Sequence, residues 1–367
     1  MKRSKTTFDV IILGSGIAGL SAADEFSGRG LRCLIVDVNE PGKGATAAPM
    51  LLANPATGRR AKKTWRAEES FRFIEDFLDR IQQTSDTPCF EKNKVIRPAL
   101  TKEIAVDFEK SPEKYSWPSD WLTWVSPEEF KNIYPSFGNS FGGLIVEKAL
   151  TINGPQFISS AVNYLQGRGA KFLFSTEYSF NKKLGLWELS FADNEPVTAS
   201  HLIDTSGVNQ ANSDAWNFIP FHSVKGQTAT FQFEGPLPLN YSISSLGYMA
   251  FMSNQPNQLT VGSTYEHSFD DLEPTKDGLE RLTKKLSQTL PEFTDKISKT
   301  EQWTNVRVTV PDKQPVVGPH KEVENYFIIG ALGSKGMMLG RYAAFLLAAF
   351  VLNQKKIDPV ISSERFF

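Results

Sequence analysis

Apolar positions along the chain follow two rhythms, short unbroken runs and helically spaced faces. Residues 10–13 form an unbroken apolar run, Gly14, Gly16 and Gly19 follow it, and a second run, residues 33–36, ends on Asp37. Runs without polar alternation suit strands buried on both faces, so this opening predicts strand, glycine turn, helix over 20–28 and strand. Between 64 and 81, Trp65, Phe71, Phe73, Ile74, Phe77, Leu78 and Ile81 recur at helical spacing with charges between them, which predicts an amphipathic helix. The loop between, residues 41–60, is made of small and apolar residues that let backbone approach a flat ligand.

Further on, residues 85–145 mix strand-like runs such as 94–96 with Pro- and Trp-containing turns, which reads as a change of domain. A turn at 151–155 leads to a helix over 156–167, then strands at 171–174, 178–180 and 187–191, and a strand from 201 that closes in the turn Thr205, Ser206, Gly207. Residues 216–300 alternate like sheet, with strands at 227–233, 248–252 and 259–262, followed by a helix from 276 to 290 that stops at Pro291. A strand at 326–329, a glycine loop at 330–336 and a helix from 341 to 353 repeat the logic of the opening. No period of 20 to 50 residues occurs, so a repeat architecture is not expected.

The opening stretch carries the most chemistry. A strand that feeds a glycine turn into a helix N-terminus offers backbone N–H groups and the positive end of a helix dipole to phosphate. Gly14 makes the turn, Gly16 admits a pyrophosphate close to the backbone, and Gly19 lets the helix pack on its strand. Asp37 is placed to accept hydrogen bonds from a ribose diol. Agreement of strand, helix, second strand and terminal acid predicts a dinucleotide site, although the motif alone does not separate NAD from FAD.

Composition narrows the rest. A chain of 367 residues with 40% hydrophobic and 22% charged residues is long enough for one large or two interleaved globular domains. A net charge of −1 without long basic runs gives no electrostatic footprint for duplex nucleic acid. The two cysteines, Cys33 and Cys89, have no metal-ligand spacing and suggest a reducing, cytoplasmic setting without disulfides. Lys2, Arg3 and Lys5 before an apolar stretch resemble a signal peptide, but Asp9 interrupts the pattern and no cleavage is expected. The apolar run at 342–352 is short of the ~20 residues that span a bilayer and reads as a buried helix, so no transmembrane segment is expected.

The layout as a whole resembles the FAD-dependent amine and amino-acid oxidoreductases of the D-amino acid oxidase superfamily, which includes glycine oxidase, sarcosine oxidase and a tRNA-modifying oxidase domain. The residues that carry this are 9–37, 223–227 (SVKGQ), 261–266 (VGSTYE) and 306–318 (VRVTVPDKQPVVG), with a single N-terminal glycine motif and the loop Gly333, Ser334, Lys335, Gly336. The resemblance implies an α/β plus α+β fold, a Rossmann-like FAD-binding domain (1–84, 146–215 and 301–367) interleaved with an antiparallel-sheet substrate domain (85–145 and 216–300). It implies FAD, and since neither cysteine falls in a matching segment, non-covalent FAD.

Carried over on the same resemblance, Ser15, Ile17, Ala18 and Val38 join the glycines and Asp37 at one end of the cofactor, and Ala45, Thr46 and Ala47 run along it. Tyr178 and the return Thr205, Ser206, Gly207 complete that side. Residues 333–338, which add Met337 and Met338 to the second glycine loop, receive the flavin pyrimidine edge, where backbone donors stabilise charge on reduction. Arg307 is the expected partner of a substrate carboxylate, since a planar fork suits it, with a structural ion pair or solvated strand residue as the alternative. Tyr248 and Tyr241 are candidate pocket residues, packed sheet aromatics being the alternative. Lys335 is a candidate cation near the flavin, a solvated lysine on a turn being the alternative. His222, His267 and His320 show no spacing that argues for a metal or a triad, and Arg59 and Arg60 read as a surface pair.

The resulting expectation is oxidation of the C–N bond of an amino acid or secondary amine to an imine, with oxygen or a quinone as acceptor. Oxidation of a modified tRNA nucleoside is a second reading, and a flavin-binding protein without turnover a third.

Overall fold

The computed structural model describes residues 6–367, so Lys2, Arg3 and Lys5 lie outside the described residues. Two sheets dominate it. In the first, strand Thr6–Leu13 runs parallel to Cys33–Val36 on one side and to Val197–Asp204 on the other, which puts Leu13 opposite both Val36 and Asp204. Strand Lys171–Leu173 extends the parallel set beyond Cys33–Val36. The far edge of Val197–Asp204 is shared, its first half pairing antiparallel with Leu186–Phe191 and its second half parallel with Tyr326–Gly330. At the centre, residues 10–13 of the first strand and all of Cys33–Val36 are apolar and buried because both faces are covered. Val10, Ile12 and Ile35 pack under Phe26, Phe77 and Leu347 of the helices, whereas Ile11, Leu13 and Val36 pack against Trp187, Trp216 and Tyr326.

The second sheet has nine strands, from Ile297–Thr309 at one edge through His222–Phe233, Gln258–Gly262 and Tyr248–Ala250 to Phe90–Pro98 and Gly143–Ile152. Its pairing is antiparallel except where Tyr241–Ser244 runs parallel to Phe90–Pro98. Helix Lys276–Thr289 covers one face, with Leu282 and Leu286 against Ala229, Phe231 and Val261.

Strand membership differs from the sequence reading in three places. Gly143–Ile152 and Ile297–Thr309, expected mostly with the nucleotide segments, belong to the second sheet through long pairings with Phe90–Pro98 and His222–Phe233. Within the expected loop at 41–60, Leu51–Ala53 adds to Gly143–Ile152 as an edge strand. Residues 85–145 also hold two helices, Lys102–Lys114 and Pro127–Ile133, capped by Thr101 and Ser126. Pro112 lies inside the first of these helices, two residues before its end.

The last long helix begins at Gly336 rather than 341. The stretch Gly333–Asn353 is by length and composition apolar enough to cross a membrane, but here it packs on the helices Ile17–Gly28 and Ala67–Gln82. Arg341 ties it down, buried in ion pairs to Asp24 at 2.8 Å and to Glu25.

Candidate active site

The parallel strands end together, which gathers Gly14, Asp37 and Thr205 at one edge. Gly14 has φ +98°, and a Cβ there would stand 2.7 Å from the Thr205 carbonyl oxygen. A Cβ on Gly19 would sit 1.9 Å from the Gly14 carbonyl oxygen, so the helix lies on its own turn at a distance only glycine permits. Asp37 braces the loop: its Oδ2 accepts from the Ser15 N–H at 2.8 Å and the Ser15 Oγ at 2.7 Å, while Oδ1 accepts from the Asn39 N–H at 3.0 Å.

Thr46, in the short turn Ala45–Ala47, accepts the Ile17 N–H at 3.0 Å, which joins the loop after Asp37 to the helix start. Ala18 is buried in the same first turn, and Val38 follows Asp37 in the bend. Thr205 donates from Oγ1 to the Leu13 carbonyl at 2.6 Å, Gly207 turns the chain at φ +63°, and the Ser206 hydroxyl donates to Asp204 Oδ1 at 2.6 Å. Asp204 itself was not anticipated. This buried acid also accepts from Trp216 Nε1 at 2.9 Å and Tyr326 OH at 3.4 Å, and so locks the return strand to its neighbours. Tyr178 lies beside it, its phenol pKa pushed up by burial and by the charges of Asp204 and Asp37.

The C-terminal loop comes back to the same place. Gly336 and Gly340 face Ile17, and a Cβ on either would come within 3.2 and 3.1 Å of that side chain, so the last helix lies close against the first. Neither helix start is capped by the side chain of the residue before it or has an acid in its first turn, and in the first only the Ile17 N–H is taken, by Thr46. Four others, starting after Thr101, Ser126, Asn153 and Thr275, are capped by those residues. Two neighbouring helix N-termini thus keep orphan N–H groups and dipoles for a ligand. Met337 and Met338 bury their side chains in the core, which leaves only their backbone to a ligand, and Ser334 is exposed.

Lys335 donates to the Lys313 carbonyl at 2.9 Å, and burial together with Lys62 and Lys313 lowers its pKa.

The second sheet presents the other wall. A Cβ on Gly226 would collide with the Arg307 guanidinium, 2.6 Å from Nη2, and one on Gly262 would meet the Tyr248 ring at 2.4 Å. Thr228 pairs with Gly262, so Gly226 and Gly262 lie on one face, and Arg307 and Tyr248 cover the gaps they leave. Arg307 donates from Nη1 to Ser263 Oγ at 2.9 Å and from Nη2 to the Thr264 carbonyl at 2.8 Å, and stacks 4.4 Å over Tyr265. Among the described residues no carboxylate forms a salt bridge with it. The Tyr248 hydroxyl donates to the Met50 carbonyl at 3.1 Å, and burial keeps this phenol neutral by raising its pKa.

A family model described as FAD dependent oxidoreductase (DAO) matches residues 9–350. The chain belongs to this family. As a member of the FAD-dependent oxidoreductases it is 24% identical over 363 residues to the tRNA 5-methylaminomethyl-2-thiouridine biosynthesis bifunctional protein MnmC of Idiomarina loihiensis, with 93% of this chain and 55% of that protein covered. It thus spans about half the length of the MnmC relatives it matches. Glycine oxidase of Geobacillus kaustophilus is 20% identical over 365 residues, with 94% and 93% covered. A crystal structure of glycine oxidase from that organism aligns with TM-score 0.83 at 19% identity over 96% of each chain. The L-alpha-glycerophosphate oxidase of Mycoplasma pneumoniae, solved with FAD bound, aligns with TM-score 0.79 at 17% identity over 96% and 97%.

FAD is the cofactor of this family, and the glycine contacts, the braced acid and the paired uncapped helix starts fit it. The flavoprotein's remaining candidates fall elsewhere. Tyr241 is buried against Tyr134 and Phe137, away from Arg307. His222 and His267, expected to be unrelated, stack with Nε2 and Nδ1 2.7 Å apart on the exposed side, a contact between a strand and a distant loop that spacing does not reveal. His320 bonds the Ala215 carbonyl and stacks on Tyr326. Arg60 pairs with Asp107 at the surface. Two surface concavities, of about 600 Å³ beside Lys63 and Tyr115 and about 370 Å³ beside Phe233 and Glu292, lie apart from the glycine loops and Arg307.

Proposed function

We propose that this flavoprotein oxidises the C–N bond of a small amino acid or secondary amine that carries a carboxylate. The observation that carries the reading is Arg307: a half-buried guanidinium, held flat by Ser263 and Thr264 over the Tyr265 ring, with no acidic partner among the described residues. Two of its five N–H donors are engaged, and those left suit a planar carboxylate. In this division of labour the first sheet holds the cofactor and the second holds the substrate.

Gly14, Ser15, Gly16 and Asp37 would hold one end of FAD and residues 333–338 the other, non-covalently, since both cysteines are buried. FAD, when bound, supplies a two-electron acceptor for the hydrogen and electron pair leaving the carbon next to the amine nitrogen. The nitrogen loses a proton, C=N forms, and water then cleaves the imine. What the chain contributes is position: Arg307 fixes the carboxylate, and Tyr248, neutral and tied to Met50, fills the same face without competing charge.

Similarity to MnmC favours a second reading, oxidation of a modified tRNA nucleoside, and the cations Lys62, Lys313 and Lys335 gathered near the C-terminal loop would suit a polyanion.

Anaerobic mixing of the holoenzyme with glycine, N-methylglycine, D-amino acids and tRNA, followed by flavin absorbance, separates the readings. Bleaching by a small amino acid is expected, and Arg307→Ala should raise KM by roughly 10- to 100-fold, the loss of a charge-assisted contact, with FAD still bound. Bleaching by tRNA alone would replace the first reading with the second.

A further inference from the structure

Lys285 belongs to helix Lys276–Thr289, on the face of the second sheet opposite Arg307. Two other cations of that helix pair along it, Lys276 with Glu280 and Arg281 with Asp277. Lys285 turns away from them. Its stem passes Gly247, where a Cβ would stand 3.3 Å from Lys285 Cδ, and its ammonium donates to the Ser263 carbonyl oxygen at 2.8 Å. Ser263 is the residue whose Oγ accepts from Arg307. Two cations that start from opposite faces of a sheet therefore meet at one residue, just past the end of strand Gln258–Gly262.

Among the described residues no carboxylate forms a salt bridge with either cation. Lys225, a buried lysine of the same sheet, is treated differently, with Asp271 at 3.5 Å and Glu266 at 4.0 Å. Burial, then Arg307 and Arg281, lower the Lys285 pKa, as close like charges do. An ammonium has three donors and Ser263 takes one. A single carboxylate answers the Arg307 fork, which leaves the second cation without an anion.

We infer that Lys285 and Arg307 form a two-part anion site, so that the preferred substrate is an amine with two acidic groups, one held by each cation. This rests on the reading of Arg307 as a carboxylate anchor and adds a specificity residue to it.

Ethers test the inference without turnover, because an ether oxygen in place of the amine nitrogen cannot form an imine. Diglycolate carries two carboxylates and methoxyacetate one, and both can be titrated into the holoenzyme against flavin absorbance. Diglycolate should bind at least about tenfold more tightly, the equivalent of one charge-assisted contact. Lys285→Met should bring that ratio close to one, and Lys285→Arg should retain it. A lysine that merely props Ser263 would shift both ligands alike and leave the ratio standing. Equal affinities in the parent protein, or a ratio that survives Lys285→Met, would overturn the inference, as would silence from both ligands. Failure of the oxidase reading looks different: no amino acid reduces the flavin, whatever the ethers do.

Discussion

Arg307 shows how a residue's surroundings decide its role. An arginine on a strand is as a rule a solvated side chain, and the local sequence does not distinguish that case. Here Gly226 on the next strand opens the space in which the guanidinium lies, and Ser263, Thr264 and Tyr265 hold it from the segment that follows a third strand. The cysteines illustrate the opposite outcome. Burial pushes the thiol pKa of Cys33 up to about 12 and of Cys89 up to about 11, from 9.0. At pH 8 the thiolate fraction of each is on the order of one in a thousand or less, so a disulfide reagent should find no fast thiol in the native protein and two after unfolding. Because the folded values are raised, the stability these neutral thiols contribute is intact below pH 9 and falls as pH rises through 11 to 12. A fast native thiol at pH 8 would contradict their burial.

Elements were legible where one local signal governs. The opening strand, turn, helix and strand could be read because buried strands are apolar and because Gly19 answers to a contact within a few residues, the Gly14 carbonyl. The signal at Ser126, Pro127 and Glu129, a cap with proline in the first turn, was also present and was obscured by the surrounding turn residues. Long-range pairings left no such trace. The strand Ile297–Thr309 is defined by twelve residues of His222–Phe233 on its flank, and Lys285 reaches Ser263 only through the fold.

Arg341 is the clearest element-scale case, since the apolar run around it reads as buried but nothing nearby in the chain marks its acidic partners. Burial lowers its pKa to about 10, yet Asp24 and Glu25 hold it charged between the first and last helices. Removing one partner of a buried ion pair typically costs about 3–5 kcal/mol. Arg80 on Asp24 and Arg29 on Glu25 keep part of the compensation, so Arg341→Met should fall near the lower end, roughly 3 kcal/mol, in the midpoint of guanidinium unfolding. A change below about 0.5 kcal/mol, the range of an exposed pair, would show that the cluster is hydrated.

At the scale of the molecule, the proposed cofactor site joins what the chain keeps apart. Gly14 to Gly19, Thr46, Thr205 to Gly207 and residues 333–338 come from widely separated segments, linked by the Ile17 to Thr46 bond, the Thr205 to Leu13 bond and the seat of Ile17 on Gly336 and Gly340. A ligand bound across them stabilises only states in which all are assembled. At a hundred times its Kd this amounts to about 2.7 kcal/mol, enough to suppress local opening. The far side of the second sheet, where Phe233, Leu237 and Phe293 form their own core with Leu286, shares none of these contacts. Hydrogen exchange on the apo and FAD-loaded protein should therefore differ by roughly a hundredfold in amides of 14–19, 45–47 and 331–338, and little in 231–237 and 286–297. Uniform protection across both groups would mean that the chain opens as one unit and that FAD reports global stability. Protection confined to 14–19 would remove the C-terminal loop from the site and leave the opening glycine turn to bind alone.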